Sequence, residues 1–262
     1  ELLPERITRF GGRGVPGTMR ETHSRPKSIF IHRFKILETD TVEDTKRKFS
    51  GYFSSVLRSA GEQDEAAEHK SRTAAVFLGF SDEASGYDDP KILAARAIDA
   101  IVDFFAAIPS SFTLVVIEDL HWADAGSLAD LDRIFRQQVH AKTAVVATSR
   151  PSGEETLREF IDTFPCENSL IKLEPLDSLS SLSLAKAVFK GFPVLPPEII
   201  SMVEQKAEGL PYFVEELARM FFDMGIVDRR HTPWKFDRQK LGKAQVPGTL
   251  AGLLQARIDA LS

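Results

Sequence analysis

Residues 113–124 read TLVVIEDLHWAD. An apolar run, Leu114, Val115, Val116 and Ile117, ends in two adjacent carboxylates, Glu118 and Asp119. The run is short, continuous and rich in β-branched residues. That pattern predicts a strand buried on both faces, as in the middle of a parallel sheet. Open α/β sheets bind their ligands beyond the carboxyl ends of such strands. Two acids side by side there are costly unless something positive, such as Mg²⁺, shares the site. The alternative is a strand that runs out into solvent with its acids hydrated. Residues 114–119 by themselves leave both readings open.

The next residues are Leu120, His121, Trp122, Ala123 and Asp124, followed by Ala125, Gly126, Ser127 and Leu128. An acidic pair, a His-Trp, an Asp two residues on and a Ser-Leu opening a helix resembles the Walker B segment of one family. These are the signal-transduction ATPases with numerous domains, AAA-type P-loop ATPases found in LuxR-type regulators and beside class III adenylate cyclase domains. The resemblance implies that Glu118 holds Mg²⁺ through water and that Asp119 polarises the attacking water. It also implies that His121, Trp122 and Asp124 shape the loop behind them. The chemistry agrees, since phosphoryl transfer needs a metal-holding acid and a water-positioning group near the transferred phosphate.

A second segment carries the same resemblance. Residues 209–217, GLPYFVEEL, resemble a Gly-x-Pro-Phe/Tyr-Phe-Val-Glu-Glu-Leu segment that the same family carries in a helical lid that reports nucleotide state. The resemblance implies that Gly209 and Pro211 bind the cofactor, the proline touching adenine. Read as bare residues, Gly209 permits a tight turn and Pro211 presets a helix entry, which a plain helix–helix connection would also use. After the acid pair, residues 127–140 predict an amphipathic helix with Leu128, Leu131 and Phe135 inward. Residues 143–148, TAVVAT, predict the next buried strand, which leads into Ser149, Arg150 and Pro151. Arg150 either points into the same crevice, as the family's phosphate sensor, or opens a surface loop.

Working towards the amino terminus, a helix over about 91–107 carries Leu93, Ala97, Ile101, Phe104 and Phe105 at helical spacing. Residues 79–90 predict a loop by their turn chemistry. Residues 60–72 are a charged stretch expected at the surface. Residues 41–59 predict a helix with Val42, Phe49, Phe53 and Val56 on one side. Residues 28–36, SIFIHRFKI, alternate apolar and polar side chains and predict a strand near the sheet edge. The first 27 residues predict no regular element. They contain GGRGVPGTM at 11–19, in which Gly12, Gly17 and Thr18 have P-loop spacing but the lysine is absent. The preceding LLPERITRF is not a clean buried strand, and Pro26 follows closely. An irregular Gly-rich loop is therefore expected rather than a phosphate cradle.

Beyond Leu170, Ile171, Lys172 and Leu173, which predict a last strand, the pattern turns helical. Helices are expected at 178–190 and 196–208 and from Pro211 to a stop at Gly225. Residues 226–245 predict a hairpin or loop anchored by Trp234 and Phe236. The closing VPGTLAGLLQARIDALS resembles the opening of a winged-helix domain. The expected domains are an irregular segment at 1–27, a nucleotide-binding core at 28–176, a helical lid at 177–225, and a connector with the winged-helix start at 226–262. The fold class is α/β: a parallel-sheet, P-loop NTPase-like core with an appended all-helical lid.

Composition narrows the function classes. The 262 residues suffice for one or two domains, with 43% hydrophobic and 27% charged residues as in ordinary globular chains. A net charge of −5 argues against a dedicated nucleic-acid surface. One cysteine, Cys166, excludes an internal disulfide framework and fits a reducing, cytoplasmic setting. No apolar run is long enough for a bilayer, and no signal peptide stands at the start. A first residue Glu1 and a close inside a helical pattern are expected of an excerpt from a longer chain. The expected function is a regulatory switch module that binds ATP with Mg²⁺ and acts on an output domain or protein partner outside this excerpt. The expected partners exclude membranes, and nucleic acid enters only through a domain not present here. Without the P-loop lysine, negligible hydrolysis is expected. Two alternatives are a non-catalytic interaction domain on the same fold and an initiator-type DNA-binding ATPase.

Overall fold

The computed structural model describes residues 7–13, 24–83, 86–110, 112–136, 142–162 and 167–259. The chain divides into two compact units, Glu1–Leu170 and Ile171–Ser262. The first unit is α/β. Its sheet has three parallel strands in the order β1 (Ile7–Arg13), β2 (Phe112–Glu118), β3 (Thr143–Ala147). β2 is central, as the run at 114–117 predicts. Its burial alternates, however: Thr113, Val115 and Ile117 are buried, whereas Leu114 and Val116 are only partly covered. One face of the sheet carries the core and the other is half open.

β1 corrects the expected irregular start. Ile7–Arg13 pairs along its whole length with β2, so that Phe10 faces Val115 and Arg13 faces Glu118 in register. The next described element is a helix, α1 (Ser24–Arg33). This helix also replaces the strand expected at 28–36. Pro26, Ile29, Phe30 and Phe34 are all buried, while Ile31, His32 and Arg33 face outward. Those four recur at helical spacing, and burying adjacent Ile29 and Phe30 on one side is what a helix does and an alternating strand cannot. Pro26 sits in the first turn, where its missing N–H has no intrahelical partner to lose. It therefore does not interrupt the helix.

Three further helices build the core: α2 (Val42–Ser59), α3 (Asp64–Phe77) and α4 (Pro90–Ala107). Thr41 caps α2 by accepting the Asp44 N–H at 3.1 Å, and Asp89 caps α4 by accepting the Lys91 N–H at 2.8 Å. Val42 is exposed rather than part of the buried stripe. The charged stretch at 60–72 enters α3, whose Ala67, Ser71, Ala74 and Ala75 are buried beneath an exposed polar face. Phenylalanine fills the centre. The Phe53 and Phe104 rings stack at 4.5 Å, and Phe10 meets Phe105 edge-on at 5.1 Å. Such aromatic pairs add about 0.5–1.5 kcal/mol each beyond the area they bury. α5 (Ala125–Arg136) follows β2, and α6 (Glu154–Asp162) follows β3.

The strand expected at 170–174 is absent. Residues 167–177 carry no regular secondary structure, and Ile171 and Leu173 are 78% and 93% exposed. Alternation makes a strand only where a neighbour supplies the ladder hydrogen bonds. Here the Leu176 N–H instead donates to the Gly209 carbonyl at 2.8 Å.

The second unit packs α7 (Ser178–Val188), α8 (Pro197–Lys206) and α9 (Pro211–Asp223) around Phe189, Ile199, Phe213, Leu217 and Phe221. A short antiparallel hairpin, β4 (Val227–Asp228) with β5 (Lys235–Phe236), follows α9. Trp234 anchors it against Phe192 and Phe222, as the sequence predicts. α10 (Arg238–Lys243) and α11 (Leu250–Asp259) close the unit. Glu216 of α9, almost fully buried, pairs with Arg219 at 3.2 Å and with Arg257 of α11 at 3.0 Å. No helix among the described residues is long and apolar enough to cross a membrane.

Candidate functional site

The acid pair sits where the central strand ends. Glu118 is the last residue of β2 and is exposed. Asp119 adopts a left-handed conformation, φ 55° and ψ 45°. Such a backbone costs a non-glycine residue roughly 1–2 kcal/mol, though Asp tolerates it better than most. Three hydrogen bonds hold the kink. The Asp119 N–H donates to Thr148 Oγ1 at 3.2 Å, the Leu120 N–H donates to the Thr148 carbonyl at 2.8 Å, and the Thr148 N–H donates to the Ile117 carbonyl at 2.9 Å. Thr148, just past β3, thus fixes where the chain leaves β2. Held strain of this kind clusters at functional sites.

The kink opens a 3₁₀ turn over Leu120–Trp122. Asp124 then caps α5, accepting the Ser127 N–H at 2.8 Å and the Ser127 hydroxyl at 2.5 Å. The Ser-Leu that opens the helix in the motif is therefore a cap, and Ser127 is fully buried by it. His121 joins the two loops: its Nδ1 accepts the Arg150 N–H at 3.3 Å. That leaves the ring proton on Nε2, which is buried without a hydrogen-bond partner among the described residues. A second 3₁₀ turn, Pro151–Gly153, packs Gly153 on His121 so closely that a Cβ there would lie 3.1 Å from His121 Cα.

The positive partner of the acids comes from β1. Arg13 Nε donates to Asp119 Oδ2 at 3.3 Å and lies 3.8 Å from Glu118 Oε2. The Arg13 side chain is 73% exposed, so this ion pair is wet and worth about 0.2–1 kcal/mol. Arg150, expected in the same crevice, contributes its backbone to His121. Its side chain is exposed, and no described residue forms an ion pair with it. Arg13 and Thr148 are the functional neighbours that the sequence reading missed. Arg13 lies inside the Gly-rich segment already singled out. The rest of that segment, residues 14–19, lies outside the described residues.

Gly209 and Pro211 belong to the second unit. Gly209 has φ +72°, and a Cβ there would meet the Leu176 carbonyl at 2.5 Å. Both the left-handed backbone and the close approach require glycine. Pro211 is the exposed first residue of α9. These two residues therefore have a complete local role in the 208–211 turn.

Glu118 and Asp119 offer the hard oxygen ligands that Mg²⁺ prefers, and Mg²⁺ is commonly held by one or two carboxylates plus substrate phosphates. Among the described residues no group of three or more His, Cys, Asp or Glu could form a metal cage.

No protein-family profile matches the chain. An uncharacterized protein of Rhizobium meliloti (strain 1021) is 29% identical over 134 residues, covering 50% of this chain. The chain spans only 12% of that protein's length. No solved structure matches.

Proposed function

We propose that the first unit is a nucleoside-triphosphate-binding switch module, a P-loop NTPase-like core that takes ATP with Mg²⁺ and serves a larger signalling protein. The observation that carries this reading is the register of β1 on β2, which sets Gly12 beside Ile117 and Arg13 beside Glu118. The Gly-rich segment therefore departs from the carboxyl edge of a parallel sheet, next to the acid pair. The order of strand β1, segment 14–23 and helix α1 is the context a phosphate cradle needs. In this reading the acid pair serves the cation that accompanies the phosphates, Glu118 holding it through water and Asp119 polarising the attacking water, and Arg150 reports on the terminal phosphate. A cation bound there draws charge from the phosphoryl oxygens. The mostly helical second unit is the regulatory part of the same module. The output domain lies outside this chain.

The missing lysine limits the chemistry. Phosphoryl transfer is mostly positioning and charge stabilisation, and an acid that holds metal cannot replace a cradle that holds phosphate. This chain is thus expected to bind ATP weakly and to turn it over negligibly. Calorimetry with ATP and Mg²⁺ on the 262-residue chain tests this, with Asp119→Ala beside it. A saturable heat weaker than micromolar, reduced in the variant, supports the proposal. No saturable binding at millimolar ATP removes it. Micromolar binding with turnover that Asp119→Ala abolishes would instead show that segment 11–19 is a full cradle without its lysine.

A further inference from the structure

We propose that Arg13 is a built-in counter-ion of the acid pair, which must leave Glu118 and Asp119 before a divalent cation can enter. In the nucleotide-binding reading, on which this rests, the phosphates themselves draw it away. Anion and cation binding are then coupled through one guanidinium.

Three observations carry the inference. First, the acids already have a cation: Arg13 Nε is 3.3 Å from Asp119 Oδ2 and 3.8 Å from Glu118 Oε2. Two carboxylates on neighbouring residues repel each other, and a guanidinium relieves that repulsion without metal. Second, the pair is reversible. Arg13 is largely exposed and Glu118 about half exposed, so water and salt compete for both. Third, Arg13 is the last residue of β1, where segment 11–19 leaves the sheet. The same planar fork that binds carboxylate binds phosphate, so an oligophosphate above this edge competes directly for Arg13. The acids do not follow it. The backbone at Asp119 is set by Thr148 and by the 3₁₀ turn, not by Arg13, so withdrawing the arginine leaves the kink in place and both carboxylates unneutralised.

The size of the effect follows from Coulomb's law. Two unit charges about 4 Å apart in water change an affinity roughly fivefold. A divalent ion feels this twice over, and salt screening reduces it, so removing Arg13 should tighten cation binding about tenfold or more.

The test uses the full chain, its fold checked by circular dichroism, and two probes. Mn²⁺ alone is titrated with free Mn²⁺ read by electron paramagnetic resonance. Inorganic tripolyphosphate alone is titrated calorimetrically without divalent ions. Arg13→Gln should bind Mn²⁺ about tenfold more tightly than wild type, Arg13→Lys should restore the weak wild-type affinity, and Arg13→Gln with Asp119→Asn should abolish the gain. Tripolyphosphate should bind wild type more tightly than Arg13→Gln. Equal Mn²⁺ affinities for wild type and Arg13→Gln overturn the counter-ion role. The Mn²⁺ gain without any tripolyphosphate binding leaves that role standing and removes the nucleotide reading instead.

Discussion

Replacing Gly153 with alanine puts a methyl group against the turn that carries the acid pair's neighbours. The new Cβ would fall inside contact distance of His121 Cβ, 2.8 Å from Ser149 Oγ and 3.1 Å from His121 Cα. Ser149 Oγ can rotate away, but the His121 backbone cannot. Carbon atoms settle about 3.5–4.0 Å apart, so one of the two turns must move by roughly an ångström. The bond from the Arg150 N–H to His121 Nδ1 is already long at 3.3 Å and would not survive that movement. Overpacking of this kind costs about 1–3 kcal/mol, and the lost hydrogen bond places the effect in the upper half of that range. Gly51 is the control. It lies on the exposed side of α2, and a Cβ there meets nothing within 4 Å. Gly51→Ala should therefore stabilise by about 0.5–1 kcal/mol through helix propensity. Urea denaturation of wild type and both variants, followed by far-ultraviolet circular dichroism, measures the two shifts. Opposite signs are expected. A Gly153→Ala chain within about 0.5 kcal/mol of wild type would show that the two turns do not depend on each other's position.

Arg257→Ala should destabilise the second unit by about 1–3 kcal/mol, because it strips one of two cationic partners from the buried Glu216 carboxylate. Differential scanning calorimetry checks this, and an unchanged transition would mean that Arg219 suffices. Asp228 gives a pH dependence. The Arg230 side chain and backbone N–H hold its carboxyl far below the usual carboxylate range. A depressed carboxyl contributes stability that is complete above its unfolded value of about 4 and is lost as pH falls through its folded value. Melting curves from pH 7 down to 2 should therefore fall more steeply for wild type than for Asp228→Asn, and parallel acid limbs would contradict the pairing.

What the sequence discloses here divides along a physical line. β2 and β3 are legible because uninterrupted β-branched runs have few other uses in an α/β chain. α4, α5 and α9 are legible because their stripes repeat over several turns. β1 is obscured because Gly11 and Gly12 weaken its strand signal, and its identity comes from pairing with a strand about a hundred residues away. α1 is obscured because the apolar and polar residues of 28–36 alternate over a short window, while Ile29, Phe30 and Phe34 mark the helical face over only two turns. At the site, the acids and the Asp124–Ser127 cap announce themselves locally. The Arg13 contact and the Thr148 brace cannot, since both depend on which strands lie side by side.

The chain holds two tryptophans, and they fall one to each unit. Trp122 stands in the turn after Asp119 with its ring 5.0 Å from the His121 imidazole, while Trp234 is packed edge-on between Phe192 and Phe222. Intrinsic fluorescence is therefore a two-channel record. One indole reads the polar turn beside the acid pair. The other reads an aromatic wall in the helical unit. Trp234→Phe would leave a single emitter whose colour and lifetime follow the loop around the acids alone, with no label added.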